Sequence, residues 1–288
     1  MRNSVTSKRR VVVRIVIFLL IAFALSTPSY LLIIKAGDLD TPWLNTSLMW
    51  APGLAAMIAC VVTGRTIRGL PWRWGSWRYN WGAFALTVGY VTFAYLVVWL
   101  SRMGAFPNPE FVSGIRADLE AEQWSDVTLI IVGMVGLGIF GVIRSAADAL
   151  GEEIGWRGFL LFELRTMLPF PITCVVVGLI WAVWHYPIMI WGPYNAGSEQ
   201  LAFQMFVFTI DLIAASVIYG YFTLKSRSLW PATILHATFN IYVQDIMGPL
   251  TVEKPNTELY TGEFGILIPL VEILLAVYLL YRAKKEGL

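Results

Sequence analysis

Long apolar stretches separated by short polar ones run along almost the whole of this 288-residue chain. Crossing the hydrocarbon core of a bilayer takes about 20 mostly apolar residues in a helix. Windows at 11–34, 43–64, 81–100, 125–145, 172–191, 203–224, 230–248 and 263–282 reach that length. The pattern predicts an all-α fold, a polytopic transmembrane helix bundle of about eight spans. It divides into residues 1–124, holding spans one to three and an outer loop; residues 125–250, a core of spans four to seven; and residues 251–288, the last span.

Composition supports lipid as the solvent, since 57% of residues are hydrophobic and 14% charged, against roughly a quarter charged in ordinary globular domains. Lys8, Arg9 and Arg10 ahead of Val11 to Leu25 also fit a signal peptide. The apolar run resumes at Tyr30 to Ile34, however, which favours a retained span. Cys60 and Cys174 fall inside separate spans and read as packing residues, with neither a disulfide framework nor a zinc knot implied. The polar connection 101–124 contains Pro107 and Pro109, and a short surface helix is expected over Ile115 to Trp124.

Cytoplasmic loops retain Lys and Arg during insertion. With the N-terminus inside, the inner segments hold Arg2, Lys8, Arg9, Arg10, Arg65, Arg68, Arg73, Arg78, Arg157, Arg165, Lys225, Arg227, Arg282, Lys284 and Lys285. The outer segments hold Lys35, Arg102, Arg116 and Lys254. Both termini are therefore expected to be cytoplasmic, in a multi-pass protein of the plasma membrane if the source is bacterial. Arg65, Arg68, Arg73 and Arg78, interleaved with Trp72, Trp74, Trp77 and Trp81, suit an inner-leaflet anchor on the lipid bilayer. With a net charge of +2 and no basic surface suited to bases, nucleic acid is not an expected partner.

Ionisable groups inside a membrane cost a few kcal/mol each on insertion scales and mark function. Here the clearest are Glu152, Glu153, Arg157, His185 and His236, with the amide of Asn240. Glu153 and Arg157 are one helical turn apart and can pair, which leaves Glu152, offset by about 100°, for another task. Trp181 and His185 form a second one-turn pair, and His236 and Asn240 a third. The bland readings are a charged helix end for the first, a hydrogen-bonded core histidine for the second and interhelical glue for the third. The conjunction weighs against all three, because both histidines of the chain stand in such pairs.

These motifs, E-E-I-G-W-R at 152–157, W-A-V-W-H at 181–185 and H-A-T-F-N at 236–240, resemble the CPBP family, the CAAX prenyl endopeptidase and bacteriocin-processing (Abi) intramembrane proteases. The prenyl branch usually carries Phe where Trp181 stands. The resemblance covers roughly 125–245 and implies an intramembrane endopeptidase acting on a peptide or protein at the membrane. Glu152 would activate water, with His185 holding it or shuttling its proton. His236 and Asn240 would donate to the oxyanion, and Glu153 would pair with Arg157.

The chemistry is coherent on its own terms. Peptide hydrolysis needs an activated water, donors where negative charge develops and a proton for the leaving amine. No serine or cysteine stands in a nucleophile motif, so no acyl-enzyme is expected, and no cofactor is required. Glu152, His185 and His236 would also suit zinc, which commonly takes three protein ligands and a water. Two other classes remain open, a proton- or cation-coupled transporter and a non-catalytic immunity protein. The sequence sets no oligomeric state.

Counting at about 1.5 Å per residue puts His236 roughly 10 Å, and His185 roughly 20 Å, from the cytoplasmic end of its span. Cleavage is accordingly expected near the cytoplasmic side. Glu152 is drawn at the inner boundary, so segment 144–168 must dip into the membrane as a helix for the three to meet. Gly151, Gly155 and Gly158 would allow close approach to neighbouring helices.

Overall fold

The computed structural model describes residues 2–39, 41–197 and 200–288, with side chains from Lys8 onward. Among the described residues all regular structure is helical, apart from one isolated bridge between Ala105 and Val252. The long helices are α1 (Arg2–Ala36), α2 (Pro42–Val62) and α3 (Trp77–Leu100). A short α4 (Pro109–Asp118) precedes α5 (Asp126–Arg165), α6 (Phe170–Ile190) and α7 (Leu201–Ser226). Helix α8 (Trp230–Asn240) continues into wider π-type turns over Ile241–Met247, and α9 (Leu267–Lys285) closes the bundle.

Each of the eight apolar windows thus falls on helix. Six of these helices, from Lys8–Ala36 to Leu201–Ser226, are long and apolar enough to cross a membrane. The other two are the composite 230–247 and α9, which carries Glu272, Arg282, Lys284 and Lys285. The surface helix lies earlier than the sequence pattern suggested. Pro109 pre-sets the first helical φ, and Asn108 Oδ1 accepts from Glu110 N at 3.1 Å, so the helix starts there. It is over by Glu120, whose φ is 49°.

Helix α5 is the element that carries the first motif inward. It runs for 40 residues, about 60 Å at 1.5 Å per residue, with π-type turns at Leu137–Gly141 and Ile154–Leu160. It packs on the middle of α2 through glycine. A Cβ at Gly151 would lie 2.7 Å from Met49 O, and one at Gly155 2.6 Å from Pro52 Cβ. Gly158 is less tightly held, its nearest neighbour being Leu229 Cδ2 at 3.2 Å. Glu152 is therefore level with the middle of α2 rather than with the bundle's end.

The two ends of the bundle differ. At one, Arg14 Nε donates to Glu163 Oε2 at 2.8 Å, Arg65 pairs with the same carboxylate, and Lys225 pairs with Glu286 at 3.0 Å. Leu229 N donates to Pro71 O at 3.0 Å there, beside the exposed Trp72, Trp74, Trp77 and Trp81. At the other end, Ala105 and Val252 exchange backbone hydrogen bonds of 3.0 and 2.8 Å, and Trp99 Nε1 donates to Thr251 Oγ1 at 2.9 Å.

Candidate active site

Helices α5, α6 and α8 bring all three motifs to one cavity of about 150 Å³, lined among others by Glu152, His185, His236 and Asn240. Glu152, Glu153 and Arg157 are buried, the last two with no exposure. Burial of three charges in apolar surroundings requires pairing, and the structure supplies it.

Glu153 Oε1 accepts from Arg157 Nη1 at 3.0 Å and lies 3.0 Å from His236 Nδ1. The Arg157 guanidinium also reaches Ser216 Oγ at 3.2 Å and lies over the rings of Trp181 and Tyr219, 4.0 and 4.7 Å from their centroids. A desolvated cation between two aromatic faces gains about 2 kcal/mol or more from the ring quadrupoles. This network fixes α5, α6, α7 and α8 relative to one another.

Glu152 is held differently. Its Oε2 accepts from two indoles, Trp181 Nε1 at 2.6 Å and Trp156 Nε1 at 3.2 Å. Those bonds orient the carboxylate and leave Oε1 for a ligand. Trp156 is wedged against Phe18 and Trp184, with ring centroids 5.7 and 5.8 Å away. Trp184 is fixed in turn by its Nε1 donating to Ser26 Oγ at 2.8 Å.

The histidine tautomers follow from their partners. His185 Nδ1 lies 2.9 Å from the Trp181 carbonyl oxygen, which can only accept, so Nδ1 carries the proton and Nε2 offers a lone pair. His236 Nδ1 donates to the Glu153 carboxylate, and its Nε2 has no hydrogen-bond partner among the described residues. Tyr194 stacks on the His185 ring at 5.6 Å, and Asn240, partly exposed, lines the same space. Among the described residues no three His, Cys, Asp or Glu side chains are grouped closely enough to hold one metal ion. Glu152, His185 and His236 as placed are not a three-ligand set.

Behind the histidines a smaller chamber of about 30 Å³ is lined by Asp211, Glu263 and Glu272 as well as His185, His236 and Asn240. Among the described residues, Asp211 Oδ1 and both carboxylate oxygens of Glu272 are buried without a hydrogen bond of ordinary geometry, the Tyr90 hydroxyl being the polar neighbour of Glu272. Glu263 accepts from Tyr194 and Gln244. Asp211 and Glu272 were not among the residues that the sequence pattern singled out, although each is a lone carboxylate in an apolar run and so carried a visible signal.

Comparison with known proteins bears on the same segment. Residues 133–242 match the family model "Type II CAAX prenyl endopeptidase Rce1-like". This segment of the chain is thus similar to the Rce1-like family, in line with the resemblance its motifs carry. All seven motif residues, Glu152, Glu153, Arg157, Trp181, His185, His236 and Asn240, lie inside the matched segment. The CAAX prenyl protease 2 of Methanococcus maripaludis is 24% identical over 94 residues, covering 31% of this chain and 34% of that protein. The chain spans about a third of the length of this curated relative.

Proposed function

We propose that the protein is an intramembrane endopeptidase in which Glu152 activates a water for attack on a peptide carbonyl. The observation that supports this best is the conjunction in one cavity of an indole-held carboxylate with two imidazole edges and an amide that have no hydrogen-bond partner among the described residues. Water bridging Glu152 Oε1 and His185 Nε2 would give a proton to Glu152 as its oxygen attacks. The developing oxyanion would accept from Asn240 Nδ2 and from His236, whose imidazolium form has Glu153 as its counter-charge. Glu152 would then return the proton to the leaving amine. Trp181 gives the departure from Phe a use, since Phe could not donate to Glu152. The relative's printed name makes a prenylated C-terminal peptide one substrate to try.

The full chain in proteoliposomes, incubated with a pool of membrane-associated peptides that includes prenylated ones, is expected to yield new termini readable by mass spectrometry. Those termini should be missing with Glu152→Gln. Identical fragment sets from the two would remove Glu152 from the chemistry. A second reading, a proton or cation path, is favoured by one observation, the two buried carboxyl groups of Asp211 and Glu272 that line the chamber behind the site without a cationic partner within salt-bridge distance among the described residues. Flux into proteoliposomes that Glu272→Gln abolishes would support it.

A further inference from the structure

We propose that the mouth of the reaction cavity faces the non-cytoplasmic side of the membrane. Its substrate is then a peptide segment presented on that side, from an exported or translocated chain rather than a cytosolic one. The substrate class rests on the peptidase reading; the direction of the mouth does not.

The cavity's outer lining comes from one end of the bundle. Leu39 belongs to the loop after α1, Asn45 to the first turn of α2 and Tyr194 to the loop after α6. Ile188 and Gln244 stand within a turn of the ends of their helical segments. A second recess of about 370 Å³ adjoins the cavity at the same end, sharing Leu39, Tyr194 and Gln244, which provides room for an extended chain outside the reaction site. Toward the other end the reaction cavity is closed: a separate recess of about 370 Å³ at that end, lined by Arg65, Gly158 and Arg165 among others, shares no lining residue with it. One turn beyond His236, Thr233, Ala232 and Leu229 are fully buried, as are Arg157, Trp156 and Leu160 beside them.

The closed end is the cationic one. Arg14 and Arg65 converge there on Glu163, and Lys225 and Arg282 on Glu286, joined by Arg68 and Arg73 of the α2–α3 connection and Arg78 in the first turn of α3. The open end carries Lys35, Arg102, Arg116 and Lys254. Lys and Arg are retained on the cytoplasmic side during insertion, so the closed end is cytoplasmic and the mouth is not. This reverses the cytoplasmic-side cleavage expected from counting along two spans. Depth along a helix says how far a residue lies from each end, whereas the lining residues say which end is open.

Cys60 and Cys174 are buried, so single introduced cysteines report accessibility over a low background. Met49→Cys lies in the cavity, Ala196→Cys on the exposed loop beside the mouth and Ser76→Cys on the exposed cationic end. Intact cells carrying the full chain in the plasma membrane would be treated with a small membrane-impermeant cationic methanethiosulfonate. Reaction of Met49→Cys and Ala196→Cys in intact cells, and of Ser76→Cys only after permeabilisation, is the expected result. The reverse pattern overturns the orientation, and an Ala196→Cys that reacts while Met49→Cys does not overturns the open mouth. If the labelling holds but Glu152→Gln leaves cleavage unchanged, the peptidase reading fails alone.

Discussion

Two groups of buried ionisable side chains adjoin in this bundle, and they differ in how far they are paired. Around Glu153 the carboxylate, the Arg157 guanidinium, the His236 ring and the Ser216 hydroxyl are joined by bonds of 3.0 to 3.2 Å, with only Glu153 Oε2 and Arg157 Nε left over. Around Asp211 and Glu272, among the described residues, three carboxylate oxygens have no hydrogen bond of ordinary geometry, the Tyr90 hydroxyl being the polar neighbour of Glu272. Burial alone therefore does not distinguish scaffold from open chemistry, and pairing does. The first group holds helices together, while the second leaves unspent hydrogen-bonding capacity facing the chamber behind the histidines.

Breaking the paired group should have the largest effect. Arg157→Gln leaves Glu153 without its guanidinium partner in a dry interior, so stability should fall by about 3–5 kcal/mol, read as lower melting of the detergent-solubilised chain. Glu272→Gln replaces a buried carboxyl group that has no cation paired to it and keeps an acceptor for the neighbouring Tyr90 hydroxyl, so melting should be unchanged or rise. If both variants destabilise equally, the contrast between the two groups is wrong. Next comes Asn240→Ala, which removes the proposed oxyanion donor without disturbing either group; cleavage should fall by about 10²–10³-fold at constant melting temperature. Trp181→Phe should act more mildly. It deletes the 2.6 Å donor to Glu152, and a hydrogen bond to a charged group is worth about 1.5–3 kcal/mol, so cleavage should drop by about 10- to 100-fold.

The smallest effect belongs to the exposed cationic end. Hydrogen bonds from Arg282, Lys225 and Tyr221 hold the Glu286 carboxyl at a pKa of about 2, below its ordinary 4.5. A depressed folded pKa contributes stability above the unfolded value and loses it as pH falls from about 4.5 to about 2. Wild type and Glu286→Gln should therefore differ slightly in melting at pH 7, with salt weakening the difference, and converge by pH 2.

Much of this was legible in the residues. Apolar runs set the helices, and one-turn spacing set the pairs, because both are local and follow helical periodicity. The pairing of Glu153, and not Glu152, with Arg157 was legible for the same reason. The Glu153 bond to His236, 83 positions away, and the indole of Trp181 bonded to Glu152 across 29 positions were not, since nothing local fixes how α5, α6 and α8 meet. Trp156 was hidden in plain view as one more aromatic in an apolar chain. Asp211 and Glu272 were different: the signal was there, but they fall outside the three motifs. The middle position of Glu152 depended on Gly151 and Gly155 packing on α2, a tertiary fact that depth counting along single spans could not supply.

The central claim is that Glu152, and not its neighbour, activates the water. It is tested most directly by the single-turnover cleavage rate of Glu152→Gln against wild type in the same proteoliposomes, with melting temperature measured in parallel. Loss of a general base should lower the rate by about 10²–10⁴-fold with melting unchanged. A rate within a few-fold of wild type would contradict the account.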